Sequence, residues 1–328
     1  MVELGERSVI EILRRRLDVL RGSPVPFGDD VAAVPLDGER VAVLKTDMLV
    51  NKTDVPVGMS LWQAARKAVV MNVSDFAAKG VQPTAALVSL GLPRTLTTGD
   101  VEEIGDGLNS GAREYGAYVV GGDTGEASDL VVAVSIYGTG LRSRLMLRRG
   151  AKPGDAVAVT GLFGKPAAGL RLSKENCGIS EELRKTLLSS VFMPKARLLE
   201  GLALAASGAV TSSIDSSDGL AWSLHELGRM SGVGFLIDSL PTADEAREFA
   251  KCCGFDAVEL ALYGGEEYEL VVTVKPESWR DAEKAMETVG GCLWRIGKVT
   301  HEKRVVLELD GKKQPIEARG WEHFKSKT

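Results

Sequence analysis

The sequence predicts a two-domain α/β protein, on three observations. Apolar runs of strand length alternate with stretches of helical period in both halves of the chain. A turn-rich joint, Gly150-Ala151-Lys152-Pro153-Gly154-Asp155, separates the halves. The 328 residues suffice for two hydrophobic cores of ordinary size. The domains are placed at 1–145 and 146–328.

In the first half, Val9, Ile10, Leu13, Leu17 and Leu20 recur at helical spacing, which predicts an amphipathic helix over 6–20. Gly22-Ser23-Pro24 stops it. Strands follow at 31–35 and 40–46, joined through Asp37-Gly38, a hairpin signal. Ser60 is an N-cap for a long helix running to Gly80, with Asn72 and Asp75 on one face. A strand over 85–90, a helix over 98–115 and a short apolar run, Tyr118-Val119-Val120, lead into Gly121-Gly122-Asp123-Thr124. These two glycines are expected to turn the chain sharply beside a ligand and to leave Asp123 at a strand's carboxyl end, where open α/β sheets gather ligands. A β-rich run over 130–137 closes the half. In the second half, strands are expected at 156–160, 210–214, 233–237, 269–275, 292–299 and 304–309. Helices are expected at 165–174, 180–190, 195–207, 219–231, 242–252 and 277–288.

Composition narrows the function. Hydrophobic residues make up 44% and charged residues 26%, a globular balance, and the net charge of −5 argues against a general nucleic-acid binder. No apolar stretch approaches the roughly 20 residues of a membrane span. The amino terminus lacks a basic-then-apolar signal pattern. Cys177, Cys252, Cys253 and Cys292 form no C-x-x-C pair, which fits a reducing cytoplasm and neither a zinc site nor a disulfide framework. With only His225, His301 and His323, a histidine-centred triad is not expected. There is no P-loop: Gly161-Leu162-Phe163-Gly164-Lys165-Pro166 has the wrong spacing and a proline after the lysine.

Aspartates, by contrast, recur at element junctions. Each is either a cap, a turn or a salt-bridge partner, or an oxygen ligand for a hard divalent cation. Asp29 and Asp30 follow Gly28. Thr46 and Asp47 end a strand, where Lys45 and Asp47 share a face and form either a salt bridge or part of a site. Asp75 lies among alanines and valines, where a carboxylate needs a partner or a metal; the available helical partner is Lys79 at i+4. Asp215-Ser216-Ser217-Asp218 precedes a helix whose amides cap or hold a phosphate. Gly264-Gly265-Glu266-Glu267-Tyr268-Glu269 is a tight turn before a β-run, and Trp321 sits in an aromatic tail that packs on the protein or stacks on a flat ligand.

In this order, these motifs resemble the thiamine-monophosphate kinase family, within the ATP-binding superfamily of aminoimidazole ribonucleotide synthetase, selenophosphate synthetase and the hydrogenase-maturation carbamoyl dehydratase. The resemblance spans nearly the whole chain and includes Asn72-Val73-Ser74-Asp75-Phe76-Ala77-Ala78-Lys79-Gly80 and Arg148-Arg149-Gly150. It implies a two-domain aminoimidazole ribonucleotide synthetase-like fold whose first sheet pairs across a homodimer, followed by a mixed α/β domain. It implies several Mg2+ ions held by Asp30, Thr46, Asp47, Asp75, Asp123, Asp215 and Asp218, with Asp75, Asp123 and Asp215 catalytic. It implies ATP contacts from Gly122, Asp123, Arg148 and Ser217, and thiamine monophosphate contacts from Asp54, Glu266 and Trp321. Two positions depart from the family pattern: Lys45 stands where serine is common, and Asp54 where histidine is frequent. Two rival readings stay open, another superfamily enzyme such as a ribonucleotide cyclase and a non-catalytic nucleotide-binding regulator.

The chemistry agrees with the residues. A phosphate monoester with a second pKa of about 6 is mostly ionised at neutral pH, so such an acceptor needs no general base. Two polyanions need relief of their repulsion and in-line positioning, which metal ions on a carboxylate-rich, histidine-poor site provide.

Overall fold

The computed structural model describes residues 5–173 and 177–324. Helix α1 (Glu6–Arg14) is shorter than the expected 6–20 and buries none of its residues, so Ile10, Leu13, Leu17 and Leu20 remain exposed. A short helix without a packed face has little to extend it. Its first turn is tied to the far end of the chain instead. The Glu6 amide donates to the His323 carbonyl at 3.3 Å, and Arg7 lies over the Trp222 ring at 3.4 Å.

The first sheet follows. Strands β1 (Ala32–Pro35) and β2 (Arg40–Val50) form the expected hairpin. After the short α2 (Asn51–Asp54), helix α3 (Leu61–Lys79) begins at Ser60, whose hydroxyl and Gln63 form a reciprocal capping box. Then come β3 (Pro83–Leu92), α4 (Thr98–Glu114), β4 (Tyr118–Glu126) and β5 (Val131–Leu141), in the sheet order β1-β2-β5-β3-β4. The β3–β4 pair is parallel and crosses over through α4; the other pairs are antiparallel. On β5, Val132, Val134 and Ile136 are buried while Ser135 and Tyr137 are exposed, so one face is packed and the other open.

The Gly121-Gly122 turn does not form. Both glycines, and Asp123 after them, lie inside β4, which is exposed along its whole length at the sheet edge. The close approach they allow is to the neighbouring strand: a Cβ on Gly122 would strike the Val88 carbonyl.

The second half contains β6 (Ala156–Val159), α5 (Lys165–Leu172), α6 (Glu181–Phe192), α7 (Leu198–Ser207), β7 (Val210–Asp215) and α8 (Leu220–Ser231). It continues with β8 (Gly234–Ile237), α9 (Asp244–Cys253), α10 (Ala257–Tyr263), β9 (Leu270–Val274), α11 (Trp279–Thr288), β10 (Trp294–Thr300), β11 (Val305–Leu309) and β12 (Lys312–Pro315). The seven strands order as β12-β11-β8-β10-β6-β9-β7. The sequence reading anticipated neither α2, α10 nor β12. Among the described residues no helix is long and apolar enough to cross a membrane.

Helix α3 positions the site. It is buried along nearly its whole length, between the first sheet, α4, α7 and β7. One hydrophobic core runs through it, from Val43 and Val134 through Val73, Phe76 and Ala77 to Leu204 and Val272. Its contact with α7 is so close that a Cβ on Gly201 would collide with the Ala77 carbonyl, whereas Gly105 on α4 faces open space. Gly201→Ala is therefore expected to destabilise the fold by about 2 kcal/mol or more through overpacking. Gly105→Ala should stabilise it by about 0.5–1 kcal/mol, because a mid-helix glycine loses more backbone freedom on folding than alanine. Denaturant melts of both variants check this; equal effects would contradict the packing.

Candidate functional site

Three carboxylates from distant parts of the chain converge on α3. Asp30 comes from the loop before β1, Asp75 from α3 and Asp215 from the end of β7. Their ligand oxygens lie within 4.8 Å of one another. All three are buried, at 4%, 6% and 5% exposure. The Ser74 hydroxyl donates to Asp215 Oδ2 at 2.8 Å.

Their charges are unequally compensated. Burial works against ionised Asp30, but the charge of Arg148 and then that of Lys79 outweigh it and hold the carboxyl below its usual range. The Lys79 ammonium, fully buried, lies 2.6 Å from Asp30 Oδ2 and 2.7 Å from Asp29 Oδ1, and donates to the Ser213 carbonyl at 2.9 Å. Arg148 Nε donates to Asp30 Oδ1 at 2.6 Å, and Nη1 to the Gly28 carbonyl at 3.0 Å. Asp215 is pushed up to about 6, first by burial and next by the Asp30 charge. Asp75 is pushed well above its ordinary value by burial; Lys45 opposes this, while Asp215, Asp47 and Asp30 add to it. Buried carboxylates that repel one another, with oxygens in ligand range, suit a hard divalent cation.

The i+4 partner expected for Asp75 is corrected by the structure. Lys79 is drawn into the Asp29–Asp30 loop, and Lys45 reaches Asp75 instead, with Nζ 2.9 Å from Asp75 Oδ2 and 3.0 Å from Asp47 Oδ1. Asn72 does share the face with Asp75: its Oδ1 accepts the Asp47 amide at 2.9 Å. The remaining metal candidates are not brought into the cluster. The Thr46 side chain alternates onto the other face of β2, where its hydroxyl donates to the Val134 carbonyl and accepts from Ser135 Oγ at 2.9 Å. Gly122 and Asp123 lie on the exposed edge strand, in register with Val88 and Ser89. Asp218 lies on the loop after Asp215, its carboxyl pushed up to about 7 by burial and by Glu6.

A second constellation lies where this loop meets the turn before β9. The Glu266 amide donates to the Ser217 carbonyl at 2.6 Å, the Tyr268 amide to the Ser216 carbonyl at 3.0 Å, and the Trp321 amide to the Asp218 carbonyl at 3.1 Å. Three expected contact regions, Ser217, Glu266 and Trp321, are thus laced together. Glu266 and Tyr268 have φ of 66° and 54°, each costing on the order of 1–3 kcal/mol that the surrounding structure must offset. Lys67, which the sequence reading missed, is one such constraint. Its Nζ lies 2.5 Å from Glu266 Oε1 and donates to the Asp54 carbonyl at 3.0 Å. A lysine among Ala64, Ala65, Ala68 and Val69 carries the same signal that singled out Asp75. The Asp54 carboxylate itself turns inward and accepts the Val50 amide at 2.8 Å. Of the three glutamates in the turn, Glu266 is the one paired with Lys67. Glu269 is clamped by Arg197 and Thr160, and Glu267 accepts the Gly164 amide at 2.5 Å.

Comparison with known proteins places this geometry. Residues 28–141 match the model for AIR synthase related protein, N-terminal domain, and residues 152–310 that for its C-terminal domain. The chain is 39% identical over 327 residues to the thiamine-monophosphate kinase of Pyrococcus horikoshii, covering 99% of this chain and 98% of that protein. It is 34% identical over 325 residues to that of Nitrosopumilus maritimus, covering 99% and 100%. The chain belongs to the thiamine-monophosphate kinase family. The structure of AaThiL complexed with AMPPCP and TMP superposes with a TM-score of 0.85 at 30% identity, covering 98% of each chain. The mixed α/β fold expected from the sequence is that of the thiamine-monophosphate kinases.

The buried Glu267 gives this member a pH signature. Burial raises its carboxyl well above 4.5, so the folded chain holds the proton more tightly than the unfolded one. Its contribution to stability is fully present below the unfolded pKa and is lost as pH rises through the folded pKa. Glu267→Gln stays neutral and still accepts from Gly164. Its melting temperature should exceed wild type by a margin that widens between about pH 5 and about pH 8. A margin constant across that range would refute the assignment.

Proposed function

We propose that this chain transfers the γ-phosphoryl group of ATP to thiamine monophosphate, yielding thiamine diphosphate and ADP. The observation that carries this reading is the convergence of Asp30, Asp75 and Asp215, from both halves of a thiamine-monophosphate kinase chain, into one buried ligand set. In this reading Asp30, Asp75 and Asp215 hold Mg2+, with Asp47 beside them. Bound Mg2+ supplies neutralisation of the β- and γ-phosphate charge. Lys79 and Arg148 keep Asp30 ionised, and Ser74 fixes the orientation of Asp215. The acceptor phosphate is ionised at neutral pH, so no side chain need remove a proton, and the absence of histidine from the cluster agrees with that.

Gly122, Asp123, Arg148 and Ser217 are assigned to ATP, and Glu266, Trp321 and the Asp54 segment to thiamine monophosphate. Lys67 positions Glu266. Trp321, at 40% exposure, offers a ring to a flat heterocycle. The domain division is assigned between 145 and 146, and the compartment is the cytoplasm, in keeping with four cysteines that form no disulfide. The protein is assigned as a homodimer. An exposed edge strand carrying Tyr118, Val119 and Val120 is a template for pairing, and such edges are otherwise blunted or covered. Pairing there would bring Asp123 to a subunit boundary.

Incubation with ATP, Mg2+ and thiamine monophosphate should produce thiamine diphosphate; normal ATP binding without product would overturn the catalytic reading. Asp75→Asn should lower turnover by about two orders of magnitude or more, the scale of losing one preorganised charge-stabilising group. The fold should persist, because Lys45 keeps Asp47 and a repelled buried charge is removed. Near wild-type turnover would return Asp75 to a structural role. In sedimentation at micromolar concentration the protein should run at twice its 35.0 kDa chain mass, and Val120→Lys should shift it toward the monomer. A strictly monomeric wild type would rule out the dimer.

A further inference from the structure

The acidic centre contains cations of its own, and one differs from the others. Lys79 is spread over Asp29, Asp30 and the Ser213 carbonyl, with no solvent exposure of its side chain. Arg148 is shared between Asp30 and the Gly28 carbonyl. Among the described residues the Lys45 ammonium pairs with two carboxylates and no carbonyl, 3.0 Å from Asp47 Oδ1 and 2.9 Å from Asp75 Oδ2, and its side chain keeps 19% exposure. It enters from β2 while Asp75 enters from α3, so its ammonium fills the space between strand and helix. An ammonium is a compact point charge with three donors and no vacant coordination position. Two carboxylate oxygens bracketing one positive charge are also what a hard divalent ion takes from its ligands.

The local charges give a scale. With every group ionised, as a bound cation would require, Asp29, Asp30, Asp47, Asp75 and Asp215 set five carboxylates against the three cations Lys45, Lys79 and Arg148, leaving two negative charges. One divalent ion balances that remainder. Without Lys45 the excess would be three, and Asp47 and Asp75 would present free oxygens to each other.

We propose that the Lys45 ammonium occupies a cation position between Asp47 and Asp75, so that the resting carboxylate centre binds one divalent ion fewer than it would without this lysine. The inference rests on the metal-dependent reading above. Lys45 is then a resident, non-exchanging charge: it holds Asp47 and Asp75 in place at low divalent concentration and excludes a second ion from between them.

The test counts ions. Mn2+ bound per chain is measured in the full-length protein, without nucleotide, from the electron paramagnetic resonance signal of the unbound ion. Lys45→Ala should take up one more Mn2+ per chain than wild type, and Lys45→Arg, which keeps the charge, should match wild type. The melting temperature of Lys45→Ala should fall below wild type in chelator and recover on adding Mn2+ by more than wild type gains, since ligand binding to the native state raises stability. Lys45→Gln, which keeps a donor on a side chain one bond shorter but not the charge, should show the same additional ion and secures the count if the alanine variant does not fold. Wild-type stoichiometry and affinity in both neutral variants, with Mn2+ bound by wild type, would overturn the inference alone. Absence of Mn2+ binding by wild type would overturn the metal-dependent reading together with it.

Discussion

The structure depends on one constraint: α3 is buried on every side, yet it carries Arg66, Lys67, Asn72, Ser74, Asp75 and Lys79. A charge removed from water must find a partner or lose its ionisation. Each of these side chains therefore reaches off the helix to another segment. Arg66 takes Glu114 of α4 and the Pro194 carbonyl; Lys67 takes Glu266; Asn72 takes the Asp47 amide; Ser74 takes Asp215; Asp75 takes Lys45; and Lys79 takes the Asp29–Asp30 loop. The apolar side chains of α3 join the two halves into one core, and its polar side chains assemble the site at that same junction. Packing and chemistry are consequently inseparable along this helix.

The elements were largely legible because their signals are local. Ser60 with Gln63 marks a helix start through atoms three residues apart, and the hairpin at Asp37-Gly38 needs nothing beyond its own turn. What was misread required distant partners. The Gly121-Gly122 pair reads as a turn in sequence because glycine permits one, but its use is set by Val88, over thirty residues away, which leaves no room for a Cβ. The apolar spacing over 6–20 runs past the end of α1 because spacing records amphipathicity and not whether anything covers the apolar face. For the site, sequence identified the residue types and missed the pairing. Lys79 was the obvious partner of Asp75 by helical spacing, but the two diverge once the helix is enclosed, because Asp29 and Asp30 press against its carboxyl end.

The turn before β9 shows how the fold supports a strained segment. Glu266 and Tyr268 adopt left-handed backbone conformations, and their amides are committed to Ser217 and Ser216. Glu267, Tyr268 and Glu269 are sunk in the protein, and this anchors the turn on both sides of Glu266. The cost of the conformation is offset by burial and ion pairing that lie outside the site. The result is a single carboxylate, Glu266, held against Lys67 at the boundary between the halves. A carboxylate on such a support is preorganised, so little reorganisation would remain for a ligand that met it.

The compensation within the carboxylate centre is lopsided, and that asymmetry carries the functional meaning. Asp30 is overdetermined: two cations hold it, and it stays ionised despite complete burial. Its role in the fold, joining the β1 entry loop to α3 and to the Arg148 segment, would stand with no ligand at all. Among the described residues the Asp215 side chain accepts from Ser74 and makes no ion pair, and burial raises its pKa against the more distant charges of Lys45 and Arg148. Asp75 has one lysine, which it shares with Asp47, while three carboxylates repel it. A fold selected for stability alone would replace such groups with amides or apolar residues, which are neutral to stabilising at buried ionic positions. Retaining them against that gradient is what a ligand-binding centre requires, because unrelieved repulsion in the empty site becomes favourable interaction energy once a cation is shared. The uncompensated charge lies at Asp75 and Asp215, at the meeting point of α3 and β7, and it is there that a positive ion would gain most.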